Sequence, residues 1–298
     1  MISYTETPIK EIIDPILERA GVRLLVKRED LNHPFVAGNK WWKLKYNLTK
    51  AMEGEGQAIL TFGGSFSNHI YAVAAASSLL GLKSIGIIRG EESLPLNPTL
   101  NFAKSKGMRL HYVSRDAYRQ NQDSKFVAQL EEMFGNFYLI PEGGTNELAV
   151  KGCIEFGQIL VNEIDFDYLC LPVGTGGTMA GIIQALRNSQ TAIGFSVLKN
   201  GSFLEAEIRN WVGSKNVSAK WRIETQYHFG GYAKTTPRLL AFMKTQLDED
   251  EMPLDHVYTG KTLFGVYDLI ARNEIRRGST VLMVHTGGLQ GNLPEKIF

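Results

Sequence analysis

The stretch DYLCLPVGTGGTMAG, residues 167–181, joins an apolar run to a glycine-rich turn and then to small residues typical of a buried helix. A strand, a turn and a helix in this order form the repeating unit of a parallel sheet covered by helices. Short β-branched or apolar runs alternate with longer amphipathic segments along the whole chain of 298 residues. The sequence therefore predicts an α/β protein with open, mostly parallel sheets flanked by helices.

The same alternation predicts the positions of the individual elements. The predicted strands cover residues 24–29, 58–62, 84–88, 109–113, 137–140, 167–173, 192–197 and 280–285. The predicted helices cover residues 39–53, 68–80, 98–106, 123–134, 147–162, 177–188, 237–247 and 260–272. No internal repeat or low-complexity tract divides the chain, so we expect any second lobe to be inserted within the first.

The overall composition argues against several classes of partner. The chain has 32 Lys and Arg against 31 Asp and Glu, which gives no excess of positive charge for nucleic acid or an anionic membrane. The longest small and apolar stretch, IYAVAAASSLLGL at residues 70–82, is shorter than the roughly 20 residues that span a bilayer. We therefore expect neither a nucleic-acid partner nor a membrane protein.

The cysteines, histidines and N-terminal residues indicate a compartment and the lack of a metal. Cys153 and Cys170 are too few and too far apart for a zinc site or a disulfide framework, and this usage is typical of a reducing compartment. The histidines show no paired ligand spacing. The N-terminal residues have no basic start followed by an apolar block. These features predict a cytoplasmic protein without a metal site.

Residues 174–178, GTGGT, are the first candidate binding site. Backbone N–H groups in such a turn can face an anion, and Thr175 and Thr178 add hydroxyl donors. A dinucleotide site needs an acidic residue after the next strand, but residues 174–204 contain none, and the Gly-Lys-Ser/Thr of a Walker loop is also absent. The pattern favours a phosphate monoester, as in a pyridoxal phosphate enzyme. The alternative is a tight strand-to-helix turn without a ligand.

A second candidate site, GGSFSNH at residues 63–69, ends a predicted strand and opens a predicted helix. Ser65, Ser67 and Asn68 are ordinary helix-capping residue types. Three short polar side chains after a glycine pair also suit the binding of a carboxylate on exposed N–H groups. His69 is either a titratable group of the site or a histidine that packs at the start of the helix.

Three further candidate site residues lie in stretches that contain glycine. Tyr258 lies just before a predicted helix, Tyr232 lies in the glycine-flanked stretch HFGGYAK, and Thr286 lies in HTGG after the last predicted strand. Most tyrosines pack their ring and direct the hydroxyl at water or a carbonyl, and either tyrosine can do so here. Lys40, in GNKWWKLKYNL at residues 38–48, carries no information on its own.

Taken together, five motifs occur in an order known from one family. These motifs are KREDLNHPFVAGNK at residues 27–40, GGSFSNH, GTGGTMAG, VYTGK at 257–261 and HTGG. Through them the chain resembles one group of pyridoxal-phosphate enzymes over nearly its whole length. This group includes D-cysteine desulfhydrase and 1-aminocyclopropane-1-carboxylate (ACC) deaminase. The resemblance implies a tryptophan synthase β-like fold of type II with two open, twisted sheets, and a homodimer. It also implies a large cofactor-binding domain from residues 1–44 and 148–298 and a small inserted α/β domain from residues 45–147.

The resemblance also implies roles for individual residues. Lys40 matches the Schiff-base lysine, and the adjacent Trp41 and Trp42 are expected to help exclude water from it. Thr286 is expected to face the pyridine nitrogen of pyridoxal 5'-phosphate, and Asn68 its phenolate oxygen. The phosphate is expected to lie against Gly174, Thr175, Gly176, Gly177 and Thr178. The substrate, a small amino acid, is expected to meet Ser67, Asn68, His69, Tyr232 and Tyr258, of which Ser67 receives its carboxylate and the tyrosines are catalytic.

Thr286 and Thr259 indicate which reaction of this group the chain catalyses. A threonine hydroxyl leaves the pyridine nitrogen largely neutral, which suits β-elimination better than transamination. ACC deaminases carry glutamate after the active-site tyrosine, where this chain has Thr259. We therefore predict a D-cysteine desulfhydrase-like lyase or deaminase that releases a 2-oxo acid, ammonia and a leaving group. The alternatives are ACC deamination to 2-oxobutanoate, a non-catalytic pyridoxal-phosphate-binding protein and, far behind, a nicotinamide dehydrogenase.

Overall fold

The computed structural model describes residues 2–292 except 55–56, 122 and 216. The strands of these residues are β1 (Ile9–Ile12), β2 (Arg23–Lys27), β3 (Ala58–Gly63), β4 (Ser84–Arg89), β5 (Met108–Val113), β6 (Phe137–Ile140), β7 (Tyr168–Val173), β8 (Thr191–Ser196), β9 (Lys220–Glu224) and β10 (Thr280–Val284). A six-stranded sheet has the order β1-β2-β10-β7-β8-β9, and a four-stranded sheet has the order β5-β4-β3-β6. Neighbouring strands are parallel except for the antiparallel pair β1 and β2. The predicted α/β class with two mostly parallel sheets is confirmed.

Helices connect and cover the strands. They are α1 (Pro15–Ala20), α2 (Asn39–Met52), α3 (Asn68–Leu79), α4 (Pro98–Ser105), α5 (Arg115–Tyr118), α6 (Ser124–Phe134), α7 (Glu147–Glu163), α8 (Gly177–Ile182), α9 (Leu204–Val212), α10 (Pro237–Asp250) and α11 (Thr259–Ala271). None of the helices in the described part of the chain is long and apolar enough to cross a bilayer.

The central strands are buried on both faces, as their continuous apolar sequence requires. In β10, Leu282 and Val284 belong to the core on one face of the larger sheet, whereas Val281 and Met283 belong to the core on the other face. This division follows from the two-residue repeat of a strand. The smaller sheet has its own two cores. It is formed within residues 45–147, whose assignment to a separate domain stays a prediction.

The elements that sequence patterns missed are short or lie at sheet edges. β1 and β9 are the two edge strands of the larger sheet, and β9 reads KWRIE with no fully buried residue, so neither resembles a core strand. α1, α5 and α9 were also not predicted. The helix predicted at 177–188 ends at Ile182. Beyond it, the N–H groups of Gln184 and Ala185 donate to the carbonyls three residues back, at 3.2 and 2.9 Å, which is the pattern of a turn.

The predicted strand at 24–29 also ends early, and the reason bears on the site. β2 stops at Lys27, and a short turn at Glu29–Leu31 follows. The fully buried Glu29 carboxylate accepts hydrogen bonds from Tyr4, Thr7 and Trp42, at 3.0, 2.6 and 2.7 Å. These bonds fix the segment that leads into α2, so they hold the start of that helix against the larger sheet.

Candidate active site

One cavity collects loops from the carboxyl ends of strands in both sheets. Its wall comes from the start of α2, the start of α3, the turn after β7, the segment before α11 and the segment after β10. Of the predicted site residues, this cavity is lined by Lys40, Asn68, Gly174, Thr175, Gly176, Thr178, Tyr258 and Thr286. Residues from five separate stretches of sequence therefore meet where ligands collect in open α/β sheets.

Lys40 lies in the first turn of α2 with its amine at the cavity. The amine donates one hydrogen bond, to Asn39 Oδ1 at 3.2 Å, and forms no ion pair with a described carboxylate. Part of the side chain is accessible from the cavity, but burial of the amine lowers its pKa to about 8. About a tenth of this amine is therefore neutral, and thus nucleophilic, at pH 7.

Lys43 is a cavity residue that the sequence patterns did not single out. Its side chain is 2 % exposed, and its amine donates to Gly143 O and Thr145 Oγ1, both at 2.8 Å, and to Thr175 Oγ1 at 3.3 Å. Burial and the charge of Lys40 lower its pKa to about 7. Its spacing of three from Lys40 on one helix was the available signal, because such residues share a face.

The turn at residues 174–178 lies opposite these lysines. Gly176 has a φ of 78°, which favours glycine, and a Cβ at Gly177 would lie 2.5 Å from Thr145 Cγ2. The Thr175 and Thr145 hydroxyls are 2.7 Å apart, and Thr178 Oγ1 accepts from Asn39 Nδ2 at 2.9 Å. Gly177 packs behind the turn and does not line the cavity.

The motif at residues 63–69 is divided between the cavity and the core. Asn68 lines the cavity, and its Oδ1 accepts from Gln290 Nε2 at 2.5 Å, which leaves its N–H₂ group as a donor. Ser67 caps α3, because its Oγ accepts from the N–H groups of His69 and Ile70, both at 3.2 Å. The capping alternative is therefore present, but the hydroxyl hydrogen of Ser67 is still free to donate.

His69 is buried away from the cavity lining. Thr61 Oγ1 donates to Ile140 O at 2.8 Å, so it accepts from His69 Nε2 at 2.8 Å, and the proton of a neutral imidazole lies on Nε2. Burial and the charges of Lys40 and Lys43 lower the pKa of His69 well below its usual range. The side chain therefore behaves as a packed neutral histidine, which was one of the two predicted alternatives.

Thr286 and Tyr258 close the cavity from the larger sheet. Thr286 is 8 % exposed and follows β10. Tyr258 precedes α11, where the buried Asp255 carboxylate accepts from the N–H groups of Val257, Tyr258 and Thr259 at 2.9, 2.9 and 2.8 Å. Burial and nearby Tyr232 raise the pKa of Tyr258 well above its usual range, so its hydroxyl keeps its proton.

Tyr232 stands at the outer side of Tyr258. The ring centroids are 6.1 Å apart in an edge-on arrangement, and Tyr232 is 41 % exposed. The loop that carries it is held by the buried Lys261, whose amine donates to His228 O and Gly231 O at 2.9 and 2.8 Å. Tyr232 therefore lies next to the cavity without being one of its lining residues.

The two tryptophans beside Lys40 do not wall the cavity, contrary to the expectation that they shield it. Trp42 is 2 % exposed, stacks on Phe156 at 5.0 Å and donates through Nε1 to Glu29. Trp41 donates through Nε1 to Ser3 O at 2.9 Å. On a helix, residues adjacent to Lys40 point to other faces, so these indoles stabilise the N-terminal segment instead.

The donor set of the cavity fits a vitamin-derived phosphate monoester. Within the described residues, the lining contains two lysines, three threonines and two asparagines, and it contains no carboxylate. One amine is available for an aldehyde, and the second amine with the threonine turn offers charged and neutral donors to a phosphate. The fold and this donor set define a pyridoxal-phosphate enzyme of fold type II.

The comparisons with known proteins agree with this class. The family model described as pyridoxal-phosphate dependent enzyme matches residues 3–287, and the chain belongs to this family. Its cofactor is pyridoxal phosphate.

Relatives with named activities cover most of the chain. A protein of Pyrococcus furiosus named putative 1-aminocyclopropane-1-carboxylate deaminase is 30 % identical, over 96 % of this chain and 90 % of the relative. A mitochondrial protein of Arabidopsis thaliana, named bifunctional D-cysteine desulfhydrase/1-aminocyclopropane-1-carboxylate deaminase, is 29 % identical over 97 % of this chain and 78 % of the relative. The D-cysteine desulfhydrase of Klebsiella pneumoniae is 25 % identical over 95 % and 91 %.

Solved structures show the same fold. A crystal structure of an ACC deaminase homologue superposes with a TM-score of 0.83 at 27 % identity and covers 96 % of this chain and 90 % of its own. A hydrogen sulfide-producing enzyme of Fusobacterium nucleatum superposes with a TM-score of 0.70 at 12 % identity, over 96 % of both chains, and this likeness shows the fold alone.

Proposed function

We propose that the protein catalyses β-elimination and deamination of a small amino acid, in the manner of a D-cysteine desulfhydrase. With D-cysteine and water, the products are pyruvate, ammonia and hydrogen sulfide. The observation that carries this proposal is the absence of a carboxylate from the cavity lining of the described residues, together with Thr286 after β10. Bound pyridoxal phosphate supplies an electron sink for the carbanion at Cα, and an uncharged partner keeps that sink moderate.

The lysines divide the work in this proposal. Lys40 would hold the cofactor through its aldehyde, and the same amine is placed to take the proton from the substrate Cα. Lys43, Thr175, Thr178 and the backbone of the turn bind the phosphate. Burial lowers the pKa of the Lys40 amine, so less free energy is needed to deprotonate it before the reaction.

The remaining side chains position the substrate. Asn68 would hold the phenolate oxygen of the cofactor, and Thr286 would hold its pyridine nitrogen. Ser67 donates its free hydroxyl hydrogen to the substrate carboxylate. Tyr258, which keeps its proton, donates to the departing β-substituent, and Tyr232 covers the cavity from the outside. His69 stays neutral and supports the loop of Ser67 and Asn68 from the core.

ACC deamination is the second candidate, and the Pyrococcus furiosus relative favours it by its name. ACC has no α-proton, so ring opening needs additional help near the active-site tyrosine. Thr259 gives no such help here. Its side chain is fully buried, and its hydroxyl donates to Asp255 Oδ1 at 2.8 Å instead of facing the cavity. This geometry supports β-elimination over ring opening.

A panel of D-cysteine, L-cysteine, D-serine and ACC tests the proposal on the purified protein loaded with pyridoxal phosphate. We expect pyruvate and sulfide from D-cysteine, and at most slow formation of 2-oxobutanoate from ACC. Turnover of ACC alone contradicts β-elimination. If the protein shows visible cofactor absorbance that borohydride removes, but turns over none of the amino acids, it is a non-catalytic binding protein.

The resemblance further leads us to propose a homodimer and a cytoplasmic location. Analytical ultracentrifugation of the loaded protein tests the first of these, and fractionation of the source cells tests the second.

A further inference from the structure

A second cavity lies beside the proposed active site. It has a volume of about 460 Å³ and is lined by Arg89, Arg115, Tyr118, Arg119, Asn121 and Glu142. These residues lie at or after the carboxyl ends of β4, β5 and β6. Glu142 is followed directly by Gly143, which lines the proposed active site, so one segment of chain forms a wall of both cavities.

The charges of this second cavity are strongly unbalanced. Its lining has three guanidinium groups and one carboxylate. Arg119 is paired with the exposed Asp116 at 2.8 Å, whereas Arg89 and Arg115 have no carboxylate within ion-pair distance among the residues that the structure describes. Arg89 packs its guanidinium over the ring of Tyr118, 5.4 Å from the centroid. Unpaired guanidinium groups on a concave wall attract oxyanions.

Tyr118 is the buried aromatic residue of this wall. The side chain is only 3 % exposed, its ring supports the Arg89 guanidinium, and its hydroxyl lies close to the Glu142 carboxylate. Burial, followed by the nearby Glu142 carboxylate, raises the pKa of Tyr118, so the hydroxyl keeps its proton. The attraction of the cavity for an oxyanion therefore comes from its arginines.

Arg89 also reaches toward the proposed substrate site. A Cβ at Gly64 would lie 3.4 Å from Arg89 Nη2, so the guanidinium borders the loop that carries Ser67. Tyr232 lies within range of the Arg89 and Glu142 charges, which influence its pKa after the larger effect of burial. The arginine-lined cavity therefore borders the loop that is proposed to bind the substrate carboxylate.

We propose that this cavity binds an oxyanion on the substrate side chain, and that the substrate class is an amino acid with a phosphate, sulfate or carboxylate group on its β-substituent. The inference rests on the proposed β-elimination and names the substrate class of that same site. For O-phosphoserine, the Cα–H and Cβ–O bonds break, phosphate leaves with the electron pair of the Cβ–O bond, and Lys40 receives the proton. With one water, the products are pyruvate, ammonia and phosphate.

The test compares O-phosphoserine with serine, in both enantiomers, on the holoenzyme and on Arg89→Gln and Arg115→Gln. Arg109→Gln is the matched control, because Arg109 is exposed on β5 and packs over Phe134 outside both cavities. We expect the wild type to prefer O-phosphoserine in kcat/KM by about tenfold or more, since a charge-assisted contact has this magnitude. The ratio is expected to fall about tenfold in each cavity variant and to persist in the control.

Calorimetric titration with inorganic phosphate, in excess pyridoxal phosphate, separates this inference from the proposed function. We expect phosphate to bind to the wild type, and we expect its affinity to fall about tenfold in Arg89→Gln. Equal kcat/KM ratios and equal phosphate affinity in the wild type and both variants overturn the anion site and leave β-elimination intact. Phosphate binding that depends on Arg89, without turnover of any amino acid, supports the anion site and overturns the proposed function.

Discussion

Lys40 and Lys43 stand one turn apart on α2, and both amines are buried enough to lower their pKa, to about 8 and about 7. Their surroundings differ. The Lys43 amine donates to three oxygens from two separate loops, whereas the Lys40 amine donates to a single amide oxygen. A lysine with all its donors occupied stays in place, and a lysine with few partners is free to react. Neither position is distinguished by residue type, only by what the fold places around it.

The largest expected effect comes from Lys40→Ala. We expect β-elimination to fall by at least about a thousandfold, because the covalent attachment and the base are lost together. Borohydride is expected to fix pyridoxal phosphate to the wild type and to Lys43→Met but not to Lys40→Ala, as judged by intact mass. Equal fixation in Lys40→Ala assigns the reactive amine to another lysine.

Lys43→Met is expected to weaken cofactor binding by about 10- to 100-fold, since one charge-assisted hydrogen bond to the phosphate is lost at similar side-chain volume. Equilibrium titration with pyridoxal phosphate measures this. Lys45→Met is the control, because Lys45 lies on the same helix but pairs with Glu155 outside the cavity. A Kd for Lys43→Met equal to that of Lys45→Met removes Lys43 from the phosphate site.

The pH dependence of cofactor loading tests the reactive state of Lys40. Burial disfavours the charged amine, so the neutral, nucleophilic fraction rises as pH passes upward through about 8. The loading rate of the cofactor-free protein is expected to rise about tenfold from pH 7 to pH 9 and then to level off. If the loading rate keeps rising above pH 9, with a midpoint near the ordinary pKa of lysine, the Lys40 amine is not desolvated.

The smallest expected effect is that of Asn39→Asp, which changes the Lys40 partner from an amide to a carboxylate at similar size. The added charge favours the ammonium form, so the midpoint of the loading profile is expected to move up by about one pH unit. At pH 7 this slows loading several-fold. Asn101→Asp, at an exposed position of α4, is expected to leave the profile unchanged. If the midpoint in Asn39→Asp does not shift, the Asn39 side chain does not influence the pKa of the Lys40 amine.

Much of the fold was predictable, and the failures have local causes. Core strands such as β7 and β10 are apolar along their whole length because helices cover both faces, and they were predicted within one residue at each end. The edge strands lack the continuous apolar run of the core strands, because β9 alternates polar and apolar residues and β1 is apolar only at its two ends. At the site, the turn of glycines and threonines could be predicted from the sequence. The position of Lys43 at the cavity could not, because its partners are residues 143, 145 and 175, far from it in sequence.

The tryptophans illustrate the same limit. Their position next to Lys40 in sequence indicated a role at the cavity, but the helix directs them toward Phe156, Glu29 and the N-terminal segment. The second cavity is a further case. Its arginines belong to separate segments, and only the parallel order of β4, β5 and β6 places them beside the active site.

The sequence by itself determined the alternation of strands and helices, the glycine turn that suits a phosphate and the motif around Lys40, because each depends on residues that are neighbours in the chain. Only the tertiary structure decided how many partners each of the two lysine amines has among the described residues, that Thr259 turns away from the cavity, and that arginines line a second cavity beside it. Those properties depend on burial and on contacts between distant segments, and neither is encoded in any single stretch.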